Sequence, residues 1–146
     1  MKHTDPPIIV EQTFKAAPTL LWNAITKHDE MVLWFFDNIP EFVPEIGFTT
    51  RFEVRSEDRT FPHLWRITEV LPNEKISYHW SYDNYPGEAI VSFQLSKVND
   101  GTKLTLTNLI LSNFPSDIPE FTRKSCTQGW KYFIQQQLKK YLEGKS

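Results

Sequence analysis

QGWKYFIQQQLKKYL, Gln128 to Leu142, places Trp130, Phe133, Ile134, Leu138, Tyr141 and Leu142 at three- and four-residue intervals, with Lys131, Gln135, Gln136, Lys139 and Lys140 between them. That spacing gathers the apolar side chains on one stripe of a helix, so one face must be buried. An aromatic stripe of this breadth needs an equally broad apolar surface to cover. The rest of the chain supplies one.

From Phe48 to Ile110 the apolar period is two, the signature of strands with one wet face. GFTTRFEVRS alternates Phe48, Phe52 and Val54 against Arg51, Glu53 and Arg55; HLWRITEVL sets Trp65 and Ile67 against Arg66 and Thr68. KISYHWSY, EAIVSFQLSKV and TKLTLTNLI repeat the pattern with Ile76, Tyr78, Trp80 and Tyr82, with Val91, Phe93 and Leu95, and with Leu104 and Leu106. Short connections rich in Asn, Asp, Gly and Pro join them, which predicts an antiparallel meander of five strands.

Ahead of the meander, PIIVEQTF predicts a first strand over residues 8 to 14. PTLLWNAIT predicts a helix opening on Pro18, and DEMVLWFF a second short helix that Asp29 would cap. Asp37 to Gly47 is turn-rich. The terminal helix should follow a cap at Ser116 or Asp117, with Pro119 in its first turn. The predicted order is one strand, two short helices, five strands and one long helix. Only that last helix is long enough to cover the apolar face of the sheet, which makes an α+β fold with the helix lying along a curved antiparallel sheet.

At 146 residues the chain fits a single domain, 1–146, with a core large enough to need no disulfide or metal. Its formal net charge of −2, with both signs interspersed, points to neither nucleic acid nor anionic membrane. The apolar runs are too short for a membrane span, and MKHTDPPI has no signal core, so a cytoplasmic location is expected. Cys126 is the one cysteine. No two histidines sit at metal-ligand spacing, and HExxH, GxSxG, Walker and GxGxxG motifs are missing, so no metal, cofactor or catalytic residue is assigned. No motif assigns an oligomeric state.

The chain resembles the activator of heat-shock protein 90 ATPase homologue-like family of the START-like, Bet v 1-like (SRPBCC) superfamily. The resemblance rests on the APTLLWNAIT helix, the tryptophan of MVLWFF, GFTTRFEV, HLWRITEV, ISYHWSY with PGEAIVSFQL, DGTKLTLTNL, and CTQGWKYFIQQQLKKYL. Together these span nearly the whole chain. The resemblance implies the helix-grip fold, β-α-α-β5-α, with a cavity between the sheet and the terminal helix. The eukaryotic co-chaperones for which the family is named carry a further domain ahead of this one, for which 146 residues leave no room.

Strand parity points Val10, Gln12, Phe14, Phe48, Phe52, His63, Trp65, Ile67, Tyr78, Trp80, Tyr82, Val91, Phe93, Leu104, Leu106 and Asn108 toward the helix. Aromatic walls with a few polar tips suit a ligand pocket, and they equally suit a packed core whose polar atoms are satisfied internally. The candidate ligand-binding residues are Phe52, His63, Trp65, Tyr78, Trp80, Tyr82, Phe93 and Asn108 on the sheet, with Cys126, Gly129, Trp130 and Phe133 on the helix. Glycine within a helix costs about 1 kcal/mol relative to alanine, so Gly129 marks cavity space, close backbone approach or a kink. Phe42, in DNIPEFVPEIG, and Phe114, in LSNFPSDIPEF, are expected to gate a closed or nearly closed cavity.

The leading functional expectation is a module enclosing a small hydrophobic molecule, aromatic or lipid-like, without catalysis. A stress-related, co-chaperone-like module that binds a chaperone or client protein is the alternative. A polyketide cyclase or aromatase-like enzyme, as the superfamily resemblance implies, is the third.

Overall fold

The computed structural model describes residues 1–145. Strands β1 (Ile8–Phe14), β2 (Thr49–Ser56), β3 (Arg59–Leu71), β4 (Lys75–Tyr82), β5 (Glu88–Val98) and β6 (Gly101–Ser112) form one antiparallel sheet in the order β1-β6-β5-β4-β3-β2. Helices α1 (Pro18–Thr26) and α2 (His28–Trp34) connect β1 to β2, and a terminal helix follows β6. This is the α+β helix-grip fold.

The inward parity expected from the sequence is the buried one: Val10, Phe14, Phe52, Trp65, Ile67, Tyr78, Val91, Phe93, Leu104 and Leu106 all lie in the core. Tyr82, Gln12 and Phe48 on the same face are half-buried.

Three local boundaries differ from expectation. Helix α2 begins at His28 with Lys27 at the N-cap and no side-chain cap; Asp29 sits in the first turn, where its carboxylate favours the helix dipole. Strand β3 begins at Arg59 and runs through Pro62. Pro62 is tolerated because its side of the ladder faces the end of β4, where its carbonyl still accepts from the Asp83 N–H at 3.1 Å. The terminal helix is capped by neither Ser116 nor Asp117. Pro119–Phe121 forms a separate 3₁₀ turn, and the Thr122 hydroxyl accepts from the Ser125 N–H at 3.2 Å to open α3 (Arg123–Lys131).

Beyond α3 the helix widens into π-helical turns over Tyr132–Leu138 and closes as α4 (Lys139–Glu143). Its most buried side chains are Trp130, Ile134, Leu138 and Leu142, spaced by four. In a regular α-helix each four-residue step runs ahead by about 40°, so such a stripe would wind off the sheet. The wider π turns take back that drift. The helix is tied to its surroundings by Gln135 Nε2 donating to the Glu11 carbonyl at 3.0 Å and by the Tyr141 hydroxyl donating to Glu30 at 2.8 Å.

Candidate functional site: the cavity under the terminal helix

Helix α2 ends at Trp34 and is followed by Phe35 and Phe36, and this corner divides the groove beneath the terminal helix. The Trp34 indole N–H donates to the Ala24 carbonyl at 2.7 Å, which pins α2 on α1. Phe35, fixed beside it, stacks on Trp34 at 4.7 Å and meets Trp65, Trp130 and Phe133 at 5.6, 5.9 and 4.9 Å. On Phe35's side the groove is solid. Phe52, Trp65, Tyr78 and Phe93, four of the candidate ligand-binding residues, pack there as core: Trp65 contacts Phe52 and Tyr78 at 4.8 and 5.0 Å, and Tyr78 contacts Phe93 at 5.7 Å.

On the other side a cavity of about 280 Å³ remains between helix and sheet. The helix contributes Cys126, Gly129, Trp130 and Phe133, and the sheet contributes His63, Trp80, Tyr82 and Asn108. A side-chain carbon placed on Gly129 would meet nothing within 4 Å, so this glycine leaves space and makes no close approach. The cavity is not closed. It is open to solvent, and Met1, Ser56 and Glu120 are among its partly exposed lining residues.

Three aromatic wall residues were missed by the sequence reading: Phe36, Phe61 and Phe121. Phe61 shares the parity of His63 but lies beyond Pro62, where the strand was expected to begin. Phe121 sits in a segment without periodicity, and Phe36 just past the end of α2. The two expected gate residues do not share an opening. Phe114 lines the cavity, 6.0 Å from Tyr82 and 5.2 Å from Phe121. Phe42 lies in the core against Tyr78 at 5.9 Å and Trp65 at 6.3 Å, because the segment after α2 folds inward to cover that end of the sheet. Both rings are buried, so truncating either one costs stability as well as any gating.

Four polar side chains of the cavity, His63, Tyr82, Asn108 and Cys126, are neutral. His63 Nδ1 lies 2.8 Å from the Phe61 carbonyl and donates to it, and burial pushes the imidazole down to about 4, leaving Nε2 as an acceptor. The Trp80 indole N–H donates to the Tyr82 hydroxyl at 2.9 Å, and burial holds that phenol well above its ordinary range. Asn108 Nδ2 donates to Cys126 Sγ at 3.3 Å; burial pushes the thiol up to about 11, so it stays protonated. Asn108 Oδ1 is buried without a partner, as are Trp65 Nε1 and Tyr78 Oη in the solid half. Such a site can orient a ligand through hydrogen bonds. It holds no activated nucleophile.

The family model for Activator of Hsp90 ATPase homolog 1-like protein matches residues 15–143. No curated protein matches the chain. Among solved structures, CV1439 from Chromobacterium violaceum is similar over 94% of this chain and 96% of its own, at 20% identity and a TM-score of 0.78. The Aha1 dimer from Colwellia psychrerythraea is similar over 95% and 97%, at 24% identity and a TM-score of 0.73. DynU16, of the dynemicin biosynthetic locus, is similar over 97% of this chain and 49% of its own, so the chain spans about half of that protein, at 22% identity and a TM-score of 0.74. At these identities the structures speak for the fold. With a family model covering the meander and almost all of the terminal helix, the chain belongs to the Activator of Hsp90 ATPase homolog 1-like protein family.

Proposed function

We propose that the chain acts as one START-like domain that binds a small, mainly apolar molecule in the cavity beneath its terminal helix. The observation that carries this reading is an aromatic-walled space of about 280 Å³ in an otherwise tightly packed core, kept open by Gly129. Protein interiors seldom keep voids larger than a water molecule, and an apolar space with a few orienting polar groups is the form that ligand pockets take. Catalysis is not required. At a pKa of about 4, His63 has little affinity for a proton near neutral pH and is a weak general base, which sets the binding reading ahead of a cyclase-like one.

Native mass spectrometry of the purified protein, paired with titration by the neutral fluorophore Nile red, tests the reading. A co-purified apolar molecule, or saturable binding of the dye that Gly129→Leu abolishes, is expected. Absence of both would overturn it.

One feature favours a second reading, a protein-interaction module. Ile9 on β1 and Leu109 and Leu111 on β6 are exposed on the outer face of the sheet, with Ile90 opposite Leu109 in register. If this face docks a chaperone or client, Leu109→Ser with Leu111→Ser abolishes that association and leaves dye binding intact.

A further inference from the structure

We propose that the outward face of the terminal helix is a docking surface for an acidic helical segment of a partner protein, separate from the cavity and from the outer face of the sheet. Segregated charge, unpaired lysines and one exposed aromatic ring meet on this face.

The net charge of −2 conceals two unlike parts. Residues 123–145 hold six basic residues and one acidic, a net of +5, while the rest of the chain holds ten basic and seventeen acidic, a net of −7. A helix face that serves only solubility usually mixes the two signs, with Glu and Lys paired four residues apart. Two of the six cations here are used by the fold: Arg123 donates to the Pro6 and Pro7 carbonyls at 2.6 and 3.2 Å, and Lys145 pairs with Glu30 at 3.3 Å. Lys124, Lys131, Lys139 and Lys140 are exposed and have neither ion pair nor hydrogen bond among the described residues. Lys124 stands in the first turn of α3, which carries no acidic residue, so its ammonium opposes the helix dipole. No contact within the fold offsets that cost.

These groups share one side of the helix. Lys124, Gln128, Tyr132, Gln136 and Lys140 are all exposed and spaced by four, two residues out of step with the buried line of Trp130, Ile134, Leu138 and Leu142. Two residues turn a helix by about 200°, so the exposed line runs along the side opposite the core, with Lys131 and Lys139 beside it. Tyr132, 47% exposed, lies at its centre. Cations at positions 124, 131 and 139–140 recur every two turns, over a length of about 20–25 Å. A partner helix laid along this face meets them with Glu or Asp at the same seven- to eight-residue interval and seats an apolar side chain on Tyr132, a residue type that often anchors interfaces.

Other anionic partners fit less well. The apolar stripe of the helix is spent on the core, so a membrane meeting this face finds only Tyr132 to take into its acyl layer. A nucleic acid finds one arginine, already bound to carbonyls, and a single exposed ring for stacking.

The test titrates the full chain at low salt with an alanine-based helical peptide of about 20 residues that carries Glu every two turns and a leucine midway. The peptide should bind, and its counterpart with Gln in place of Glu should not. Lys124→Gln, Lys131→Gln, Lys139→Gln and Lys140→Gln together should weaken the acidic peptide at least about tenfold, with circular dichroism showing that the variant is folded. Tyr132→Ser alone should cost about fivefold. Failure of the acidic peptide to bind, equal binding of the Gln peptide, or affinity that the fourfold variant retains would overturn the docking surface. Phosphatidylglycerol vesicles or duplex DNA binding through the same lysines more tightly than the peptide would overturn the acidic-helix partner.

Discussion

The ring of Phe114 lies so close to the backbone of Gly87 that a side-chain carbon at position 87 would fall 2.3 Å from it. Gly87, at φ +119, immediately precedes β5, and Phe114 follows β6, so the neighbouring ends of two paired strands meet through this contact. Because Phe114 also lines the cavity, Gly87 sets how far the aromatic wall extends toward solvent. Gly87→Ala combines a strained backbone with ring overlap. It should destabilise the fold by about 1–3 kcal/mol in urea denaturation and alter Nile red affinity; an unchanged midpoint and affinity would show that Phe114 moves freely.

Gly129→Ala should act in the opposite sense on stability. The added methyl meets nothing within 4 Å, so the helix gains up to about 1 kcal/mol while the cavity loses volume. A variant that melts higher and binds Nile red less well is the expected pair of results. Lower stability would mean that the helix needs glycine there for its bend into the π-helical turns.

Trp130 and Phe133 share the helix stripe but should respond differently to truncation. Trp130 is 5% exposed and touches Trp80, Phe93 and Phe35, so Trp130→Ala should cost about 3–5 kcal/mol. Phe133 is half-buried, with part of its surface on the cavity, and Phe133→Ala should cost markedly less while weakening dye binding more. Equilibrium denaturation of both variants checks the order, which would reverse if Phe133 were the anchor.

His63 should give the fold a specific acid sensitivity. Burial lowers its folded-state pKa to about 4 from 6.5, so as pH falls the unfolded chain takes up the proton first. The stabilisation from the neutral ring is complete above about 6.5 and is lost progressively between there and about 4. Near pH 5 the loss should be about 2 kcal/mol relative to neutral pH, and His63→Gln should lack it. Denaturant midpoints of both proteins across this range measure the difference. Parallel pH profiles would place His63 in contact with water.

The element order, the sheet's inward face and the buried stripe of the terminal helix were legible in the sequence, because they rest on local periodicity. Alternation of Phe52, Trp65, Tyr78, Val91 and Leu104 with polar neighbours leaves one apolar face whatever the strands pair with, and Trp130, Ile134 and Leu138 must cover it. Eight of the candidate pocket residues stand together around the cavity for the same reason. Where the cavity ends was set by contacts between segments far apart in the chain. Trp34, hydrogen-bonded to Ala24, carries Phe35 into the groove and turns Phe52, Trp65, Tyr78 and Phe93 from wall into solid core. Phe42 is drawn inward onto Tyr78, and Phe121, with no periodicity to announce it, becomes wall instead. Whether a side chain fills a space or borders it depends on the shapes that meet there. Those shapes exist only once the two short helices, the sheet and the terminal helix are packed together.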